Sequence, residues 1–209
     1  MTPEYKFQAY VTGFTVSIMY IVITEIIPMF DDIKSWSEYI KPLVTLASTA
    51  VVYQTLSKSL LVLARNFNWL KKHLLGVQYL NGTWVGKFTV ANDEPIFTVE
   101  TFEQTLSALH ISGEAFDMKG STYAQWESVA VSIDKGVLTY TYSCRRNEEN
   151  FSFEGIGVFK LDGNPPTYLR GFSADLTDGG KRNENREKKV SDKLLTFDEA
   201  LELAKKECS

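Results

Sequence analysis

The side chains of this 209-residue chain whose types and spacing fit a recognisable chemistry are aromatic residues and arginines in its C-terminal two thirds. Aromatic planes stack on nucleobases, and a guanidinium group binds phosphate through two parallel hydrogen bonds. Tyr140 and Tyr142 alternate as in a β-strand and share one face, and Tyr168 and Arg170 likewise share a face. If these faces point inward, the interior of a barrel binds a small anionic aromatic ligand. The candidate ligand-binding residues are Trp126, Tyr140, Tyr142, Arg145, Tyr168 and Arg170.

A packed barrel core is the alternative interpretation of the same residues. Strands are rich in aromatic side chains whatever their function, and arginines usually lie in solvent. Trp84 and Arg170 have a further structural alternative, because a first-strand tryptophan beneath a last-strand arginine closes a barrel end by a cation–π contact. The sequence alone leaves these alternatives open.

No motif of an enzyme or a metal site accompanies these residues. His73 and His110 have no metal-binding or nucleophilic partner nearby, and Cys144 and Cys208 lack the spacing of a zinc site or a disulfide framework. The GxSxG, GxGxxG and Walker motifs are missing, and Gly155–Gly157 is a bare GxG that indicates a bulge or close packing within a strand. We therefore expect a protein that is not an enzyme, with no catalytic residues, cofactor or metal.

The elements that must position the aromatic residues are successive short strands. β-branched and aromatic residues alternate between regularly spaced turn signals, which predicts seven or eight strands without intervening helices, and thus an antiparallel barrel or sandwich. The apolar phase shifts within residues 97–116, where no turn signal occurs; one long strand bent by a bulge explains this and favours a closed barrel. The predicted strands are residues 82–91, 96–105, 106–117, 122–133, 137–145, 151–161 and 167–176, with an eighth near 184–191.

The end of the chain predicts a short helix. Residues 181–193 are dense in charge and fit either a loop or an edge strand. Thr196 and Glu199 then have the spacing of a capping box, and Phe197, Ala200, Leu201 and Ala204 lie at helical intervals. We expect this amphipathic helix to dock on the barrel or plug one of its ends.

Two apolar runs near the N-terminus predict a transmembrane hairpin. The first helix covers about residues 7–30 and the second about 42–64, each long enough to cross a bilayer core of about 30 Å. A cleaved signal peptide is the alternative for the first run, and a buried soluble helix for the second. The predicted divisions are a transmembrane region 1–66, a juxtamembrane linker 67–80, and a barrel with its C-terminal helix 81–209.

Charge predicts the orientation of the hairpin and excludes one class of partner. The loop between the runs carries two lysines and three acidic residues, whereas the opposite side carries Lys6, Arg65, Lys71 and Lys72, so both termini are expected in the cytoplasm. Residues 79–209 contain fifteen Lys/Arg against twenty-one Asp/Glu. Proteins that bind long nucleic acid normally present a basic face, so we expect no such partner.

Three short motifs and the overall layout resemble a known family. The motifs are LNGTWVG at 80–86, Tyr140-Thr141-Tyr142, and LRGF at 169–172, which follow the two-helix hairpin and a short basic linker. This arrangement resembles the two-transmembrane β-barrel effectors of bacterial CBASS anti-phage operons, whose nucleotidyltransferases make cyclic dinucleotides. The resemblance spans nearly the whole chain in layout, although the motifs are short.

The resemblance implies an eight-stranded, lipocalin-like barrel in the cytosol, anchored in the bacterial inner membrane. The barrel would bind a cyclic dinucleotide made on infection, and the chain would then form homo-oligomers through its transmembrane helices and disrupt the lipid bilayer, which causes abortive infection as an antiviral defence. The main alternative is a membrane-anchored, lipocalin-like carrier of a lipid or other apolar ligand, which requires an aliphatic, uncharged interior. A module that binds only a partner protein is a third hypothesis.

Overall fold

The computed structural model describes residues 3–27, 40–89, 95–146, 152–176, 179–180 and 182–207. The chain divides into two compact units, Met1–Leu75 and Gly76–Ser209. Parts of the predictions lie outside the described residues: residues 28–30 of the first predicted helix, most of the loop that follows it, and residues 90–91 and 151 of the predicted strands.

The N-terminal unit is helical. Helix α1 covers Pro3–Ile21 and continues as a π-helical turn, Val22–Ile26; α2 covers Ile40–Asn66, and α3 covers Asn68–Leu75. The segments Pro3–Ile26 and Pro42–Asn66 are long and apolar enough to cross a membrane, by length and composition. Their surfaces expose large apolar side chains, and the described part of α2 contains no buried residue in its most apolar stretch.

The C-terminal unit is a closed antiparallel barrel. Each strand pairs with the next along the chain, and β1 also pairs with β8, which closes the sheet. The strands are β1 Gly82–Thr89, β2 Pro95–Gln104, β3 Leu109–Phe116, β4 Thr122–Asp134, β5 Val137–Arg146, β6 Ser152–Gly163, β7 Pro166–Asp175 and β8 Arg182–Ser191. The barrel alternative of the sequence analysis is therefore confirmed over the sandwich, and the charged tail forms β8.

The separate strands predicted at residues 96–105 and 106–117 are confirmed as β2 and β3. The interpretation of residues 97–116 as one long bent strand is wrong, because the chain turns at Thr105–Ala108. Thr105 closes this turn with its own side chain: its hydroxyl accepts a hydrogen bond from the Ala108 amide at 2.9 Å, and its amide donates to the Ala108 carbonyl at 2.8 Å. Serine and threonine form such turns without the glycine or proline that normally announces one.

Apolar side chains fill the barrel end at which β1 begins. Trp84 is fully buried there and donates its indole N–H to the Leu80 carbonyl at 2.8 Å. The side chains of this apolar plug are Leu80, Trp84, Phe102, Ile111, Leu138, Phe159 and Leu169. The sequence analysis offered Arg170 as the cation above Trp84, and this is wrong, because Arg170 lies on the outer face in an ion pair with Asp162. The cation near the Trp84 ring is Lys189, whose Nζ lies 5.7 Å from the ring centre. Because the plug closes this end, any access to the interior is from the other end.

Helix α4, Phe197–Glu207, packs on the outside of the barrel. Ala200, Leu201 and Ala204 cover an apolar patch on β1, β2 and β3 that includes Val85 and Phe97. Thr196 donates its amide and hydroxyl hydrogens to Glu199 Oε2, which lowers the pKa of that carboxyl and fixes the helix start. The predicted helix thus docks on the barrel wall.

Candidate ligand-binding cavity

A cavity of about 320 Å³ occupies the barrel end at which β1, β3, β5 and β7 end. This volume is at the small end of the range for small-molecule sites, about 300–1,000 Å³. We call it the lumen cavity. Its lining residues are Phe88, Thr98, Glu100, Ala115, Tyr123, Ala124, Trp126, Tyr140, Tyr142, Cys144, Arg146, Phe153, Ser173, Asp175, Asn183, Asn185 and Glu187.

Glycines on neighbouring strands make room for the largest aromatic rings of the cavity wall. Tyr142 and Tyr140 pair in register with Gly155 and Gly157 on β6, and a Cβ on either glycine would approach within 2.3 and 2.6 Å of the tyrosine ring.

Trp126 on β4 likewise covers Gly113 on β3, where a Cβ would lie 2.3 Å from the indole. The sequence left two alternatives for the Gly155–Gly157 motif, a bulge or close packing. The approach of Tyr142 and Tyr140 to these glycines shows that it is close packing. The rings pack against the wall over the glycines, so that their planes line the cavity instead of filling it.

Two buried carboxyl groups lie beside each other at the inner end of the cavity. Glu100 and Glu187 are 2% and 3% exposed, and Glu100 precedes the plug residue Phe102 by two positions on β2. Glu100 Oε1 accepts hydrogen bonds from Trp126 Nε1 at 2.9 Å and from the Tyr140 hydroxyl at 3.2 Å. We call Glu100, Glu187 and Tyr140 the cavity floor.

Burial raises the pKa of both floor carboxyls. For Glu187 the charge of Glu100 adds to the effect, and its pKa lies well above the usual value. The hydrogen bonds from Glu187, Trp126 and Tyr140 oppose the rise at Glu100 and favour its ionised form. The pKa of Glu187 is therefore raised further than that of Glu100, and Glu187 is the carboxyl of the pair that keeps its proton to the higher pH.

Among the described residues that line the cavity, Arg146 is the one arginine, and it lies at the outer end. Arg146 Nη2 forms an ion pair with Asp175 Oδ2 at 2.8 Å, and the guanidinium lies 4.9 Å from the centre of the Phe153 ring. Asp175 Oδ1 also accepts a hydrogen bond from the Tyr142 hydroxyl at 2.7 Å, and burial and this contact raise the pKa of Tyr142. The Arg146 side chain stays 24% exposed at the cavity mouth.

The structure brings together three of the six candidate residues of the sequence analysis. Trp126, Tyr140 and Tyr142 line the lumen cavity. Arg145, Tyr168 and Arg170 do not: they point away from the lumen, contrary to the expectation that the face shared by Tyr168 and Arg170 points inward. Tyr168 packs under Arg186 and Arg170 pairs with Asp162, both on the outer surface.

Several lining residues escaped the sequence analysis. Arg146 is the clearest case, since continuing the alternation of Tyr140 and Tyr142 leads to Cys144 and Arg146 and places Arg145 outside. The same alternation along β8 puts Asn183, Asn185 and Glu187 on the inner face, but the segment was interpreted as a loop or edge strand. Nothing in the sequence indicates that Glu100 and Glu187 meet, because they lie on β2 and β8, separated by β1.

A larger concavity of about 660 Å³ lies on the outer surface, along β7, β8, β1 and the end of α4. Tyr168 and Arg170 line it, together with Lys188. Two of its four described cations are already in ion pairs, Lys188 with Glu207 and Arg170 with Asp162. We place the candidate site in the smaller lumen cavity because that cavity is more enclosed and contains buried polar groups.

No family model matches the chain, and no curated protein matches it. Within the described residues there is no group of three His, Cys, Asp or Glu side chains that could hold a metal ion. The lumen cavity is therefore the feature of the molecule from which we infer its function.

Proposed function

We propose that the chain is a membrane-anchored sensor whose barrel binds a cyclic dinucleotide, as its resemblance to CBASS effectors implies. The observation that carries the proposal is the set of three aromatic rings, Trp126, Tyr140 and Tyr142, arranged against glycines around an unfilled cavity. Stacking on such rings contributes about 1–3 kcal/mol per base. One base enters the lumen cavity, and Arg146 binds a phosphate at its mouth.

The polar lining argues against the alternative of a carrier for a lipid or other apolar ligand. An alkyl chain in the lumen cavity would contact Glu100, Glu187 and Asn185 without giving them hydrogen bonds. Leaving a buried polar group unsatisfied costs about 1–3 kcal/mol. A nucleobase has donors and acceptors on its edge as well as an apolar face, and so suits a lining that is both aromatic and polar.

The helical unit supports the membrane part of the proposal. Phe14, Leu46 and Val51 are more than half exposed, at 57%, 69% and 63%. Lipid, or helices of neighbouring chains, would cover such side chains. We propose that ligand binding favours an assembly of chains in the bacterial inner membrane, with both termini in the cytoplasm, and that this assembly disrupts the bilayer. The ligand must bind the assembled state more tightly, because equal affinity for both states shifts nothing.

Binding is tested on the full-length chain in lipid nanodiscs, titrated by calorimetry with 3′,3′-linked cyclic dinucleotides. We expect Trp126→Leu to weaken binding about 10- to 100-fold, since leucine still covers Gly113 but offers no plane for a base. Trp69→Leu, on the exposed face of α3, is the matched control and should bind as the unchanged chain does. Failure of every dinucleotide to bind a folded sample, or binding of fatty acids instead, would contradict the proposal.

Membrane disruption is tested by dye release from liposomes that contain the full-length chain. We expect a cyclic dinucleotide to release the dye, and Arg146→Ala to raise the concentration for half-maximal release about 10-fold or more, because a hydrogen bond to a charged group contributes about 1.5–3 kcal/mol. The neighbouring Arg145→Ala removes the same charge from the outer face and should have little effect. Equal responses of the two variants would show that Arg146 does not bind the ligand.

A further inference from the structure

One exposed side of α2 carries polar residues within the segment that is long and apolar enough to cross a membrane. The residues of this side recur at intervals of three and four positions, so they share one face of the helix. All of them are exposed in the helical unit, and Gln54, Lys58 and Arg65 are the polar ones. We call this side the polar face of α2; its residues are Ala47, Val51, Gln54, Lys58, Leu61 and Arg65.

The helical unit covers the opposite side of α2, where this helix packs against α1. Val52, Leu56 and Leu60 are half-buried, and Ala64 is buried. At 3.6 residues per turn these positions lie roughly half a turn from Lys58 around the helix. The polar face is therefore left for lipid, water or another copy of the chain to cover.

Lys58 lies far from both ends of this segment. Gln54 is the central residue of Pro42–Asn66, and Lys58 follows it by four positions, or about 6 Å along the helix. The Cα–Cβ bond of a helical residue tilts toward the helix N-terminus, so the lysine side chain leans toward Gln54 and away from the nearer membrane surface. This direction opposes snorkelling of the ammonium group to that surface. Charged side chains at such a depth almost always face the interior of a helix bundle or a water-filled cavity.

No acidic residue of the two apolar segments lies at the depth of Lys58. The acidic residues there are Glu4 and Glu25, each next to one end of Pro3–Ile26, and Pro42–Asn66 contains none. With the ends of the two segments level, Glu4 and Glu25 lie about 10 and 20 Å from the depth of Lys58. An acidic side chain therefore does not neutralise Lys58, either in the same chain or in a neighbouring chain of the same orientation.

We propose that α2 lines an ion-conducting pore in the assembled chains and that Lys58 makes this pore selective for anions. The inference rests on the proposed function, since it names the path by which the ligand-driven assembly breaches the bilayer. Identical chains of one orientation place Lys58 at one depth, so a closed assembly carries a ring of these side chains. Their like charges repel, which keeps the ring hydrated and open. Rings of lysine or arginine in pores favour anions, and Arg65 adds a second ring at the end of the same face.

The experiment records currents through planar lipid bilayers that contain the full-length chain, in a gradient of potassium chloride. We expect a cyclic dinucleotide to open channels whose reversal potential gives chloride about fivefold or more the permeability of potassium. Lys58→Gln removes the charge of the ring and should abolish this discrimination, and Lys58→Glu should invert it. Lys58→Arg keeps the charge and should keep the preference for chloride.

Glu25→Gln is the matched control. It also replaces a charged residue of a membrane-spanning segment with glutamine, but it lies on the other segment and outside the polar face. This variant should retain the chloride preference of the unchanged chain. Each variant should also bind the cyclic dinucleotide in nanodiscs as the unchanged chain does, because none of the substitutions touches the lumen cavity.

The outcomes separate this inference from the proposed function. Dye release without discrete channels, or channels whose selectivity Lys58→Gln leaves unchanged, would overturn the pore and leave the membrane-disrupting sensor standing. Loss of all current in Lys58→Gln with ligand binding retained would show that Lys58 supports assembly and not selectivity, which also overturns the inference. Chloride-selective channels that open without any ligand would keep the pore and overturn the sensor. A folded sample that neither binds ligand nor conducts ions would overturn both.

Discussion

Gly171→Ala should strongly destabilise the barrel. A Cβ at Gly171 would lie 1.9 Å from the Val158 carbonyl oxygen and 2.8 Å from the Phe159 Cα. Both obstacles are backbone, so the clash is relieved only if β6 and β7 separate where Gly171 pairs with Phe159. We expect the free energy of unfolding to fall by about 3 kcal/mol or more. Urea denaturation of the full-length chain in detergent, followed by near-ultraviolet circular dichroism, measures it.

Gly155→Ala is the matched control for this substitution. Its Cβ would meet the Tyr142 ring at 2.3 Å, and the outer end of that ring is able to swing toward the lumen cavity. The loss of stability should therefore be smaller, about 1 kcal/mol, while the displaced ring narrows the cavity and weakens ligand binding. Equal losses for the two alanine variants would show that the close approach of β6 and β7 at Gly171 does not limit the stability of the barrel.

Strand positions could be predicted from the sequence because alternation and turn residues are local signals. The connection that is not evident from turn residues, at Thr105–Ala108, is closed by a threonine hydroxyl and has neither glycine nor proline. The two flanking strands also differ in the phase of their apolar residues, and the two halves of a single bulged strand would differ in the same way. Local patterns cannot separate these two cases, because the difference lies in which strands pair with which.

The candidate site could be predicted only in part, for a different reason. Alternation places Tyr140 and Tyr142 on one face, but which face is inner depends on the closure of the sheet. On β5 the more apolar face is the inner one, whereas β7 has apolar residues on both faces, with Leu169 inside and Phe172 outside under Arg182. The direction of Arg170 was therefore not determined by its neighbours in sequence.

The carboxyls of the cavity floor destabilise the empty barrel but favour ligand binding. Glu100 and Glu187 are both fully buried, and their proximity penalises ionisation of the second carboxyl. Burying an ionised carboxyl without a partner of opposite charge costs free energy. A ligand that donates hydrogen bonds to the floor offsets this cost, so the same residues that destabilise the empty barrel increase its affinity for such a ligand.

We expect the barrel to lose stability as the pH rises above 4.5, the ordinary pKa of a glutamate. The folded-state pKa of both floor carboxyls is raised, so over the interval between 4.5 and those raised values the folded barrel retains protons that the unfolded chain releases. Stability falls with pH wherever the folded state binds more protons. Glu199 and Glu207, whose pKa is lowered, produce the opposite slope, but only below 4.5.

Glu187→Gln isolates this effect, because glutamine resembles the protonated carboxyl and does not titrate. The variant should match the unchanged chain near pH 4.5 and become more stable by about 1–3 kcal/mol at the upper end of the interval, the usual cost of an unsatisfied buried polar group. Urea midpoints of the full-length chain in detergent, measured from pH 4.5 to 8.5, give both curves. Glu184→Gln removes a carboxyl from the outer face of the same strand and should follow the unchanged chain. If the curve of Glu187→Gln instead runs parallel to that of the unchanged chain, the buried carboxyl pair does not hold the proton that the structure assigns to it.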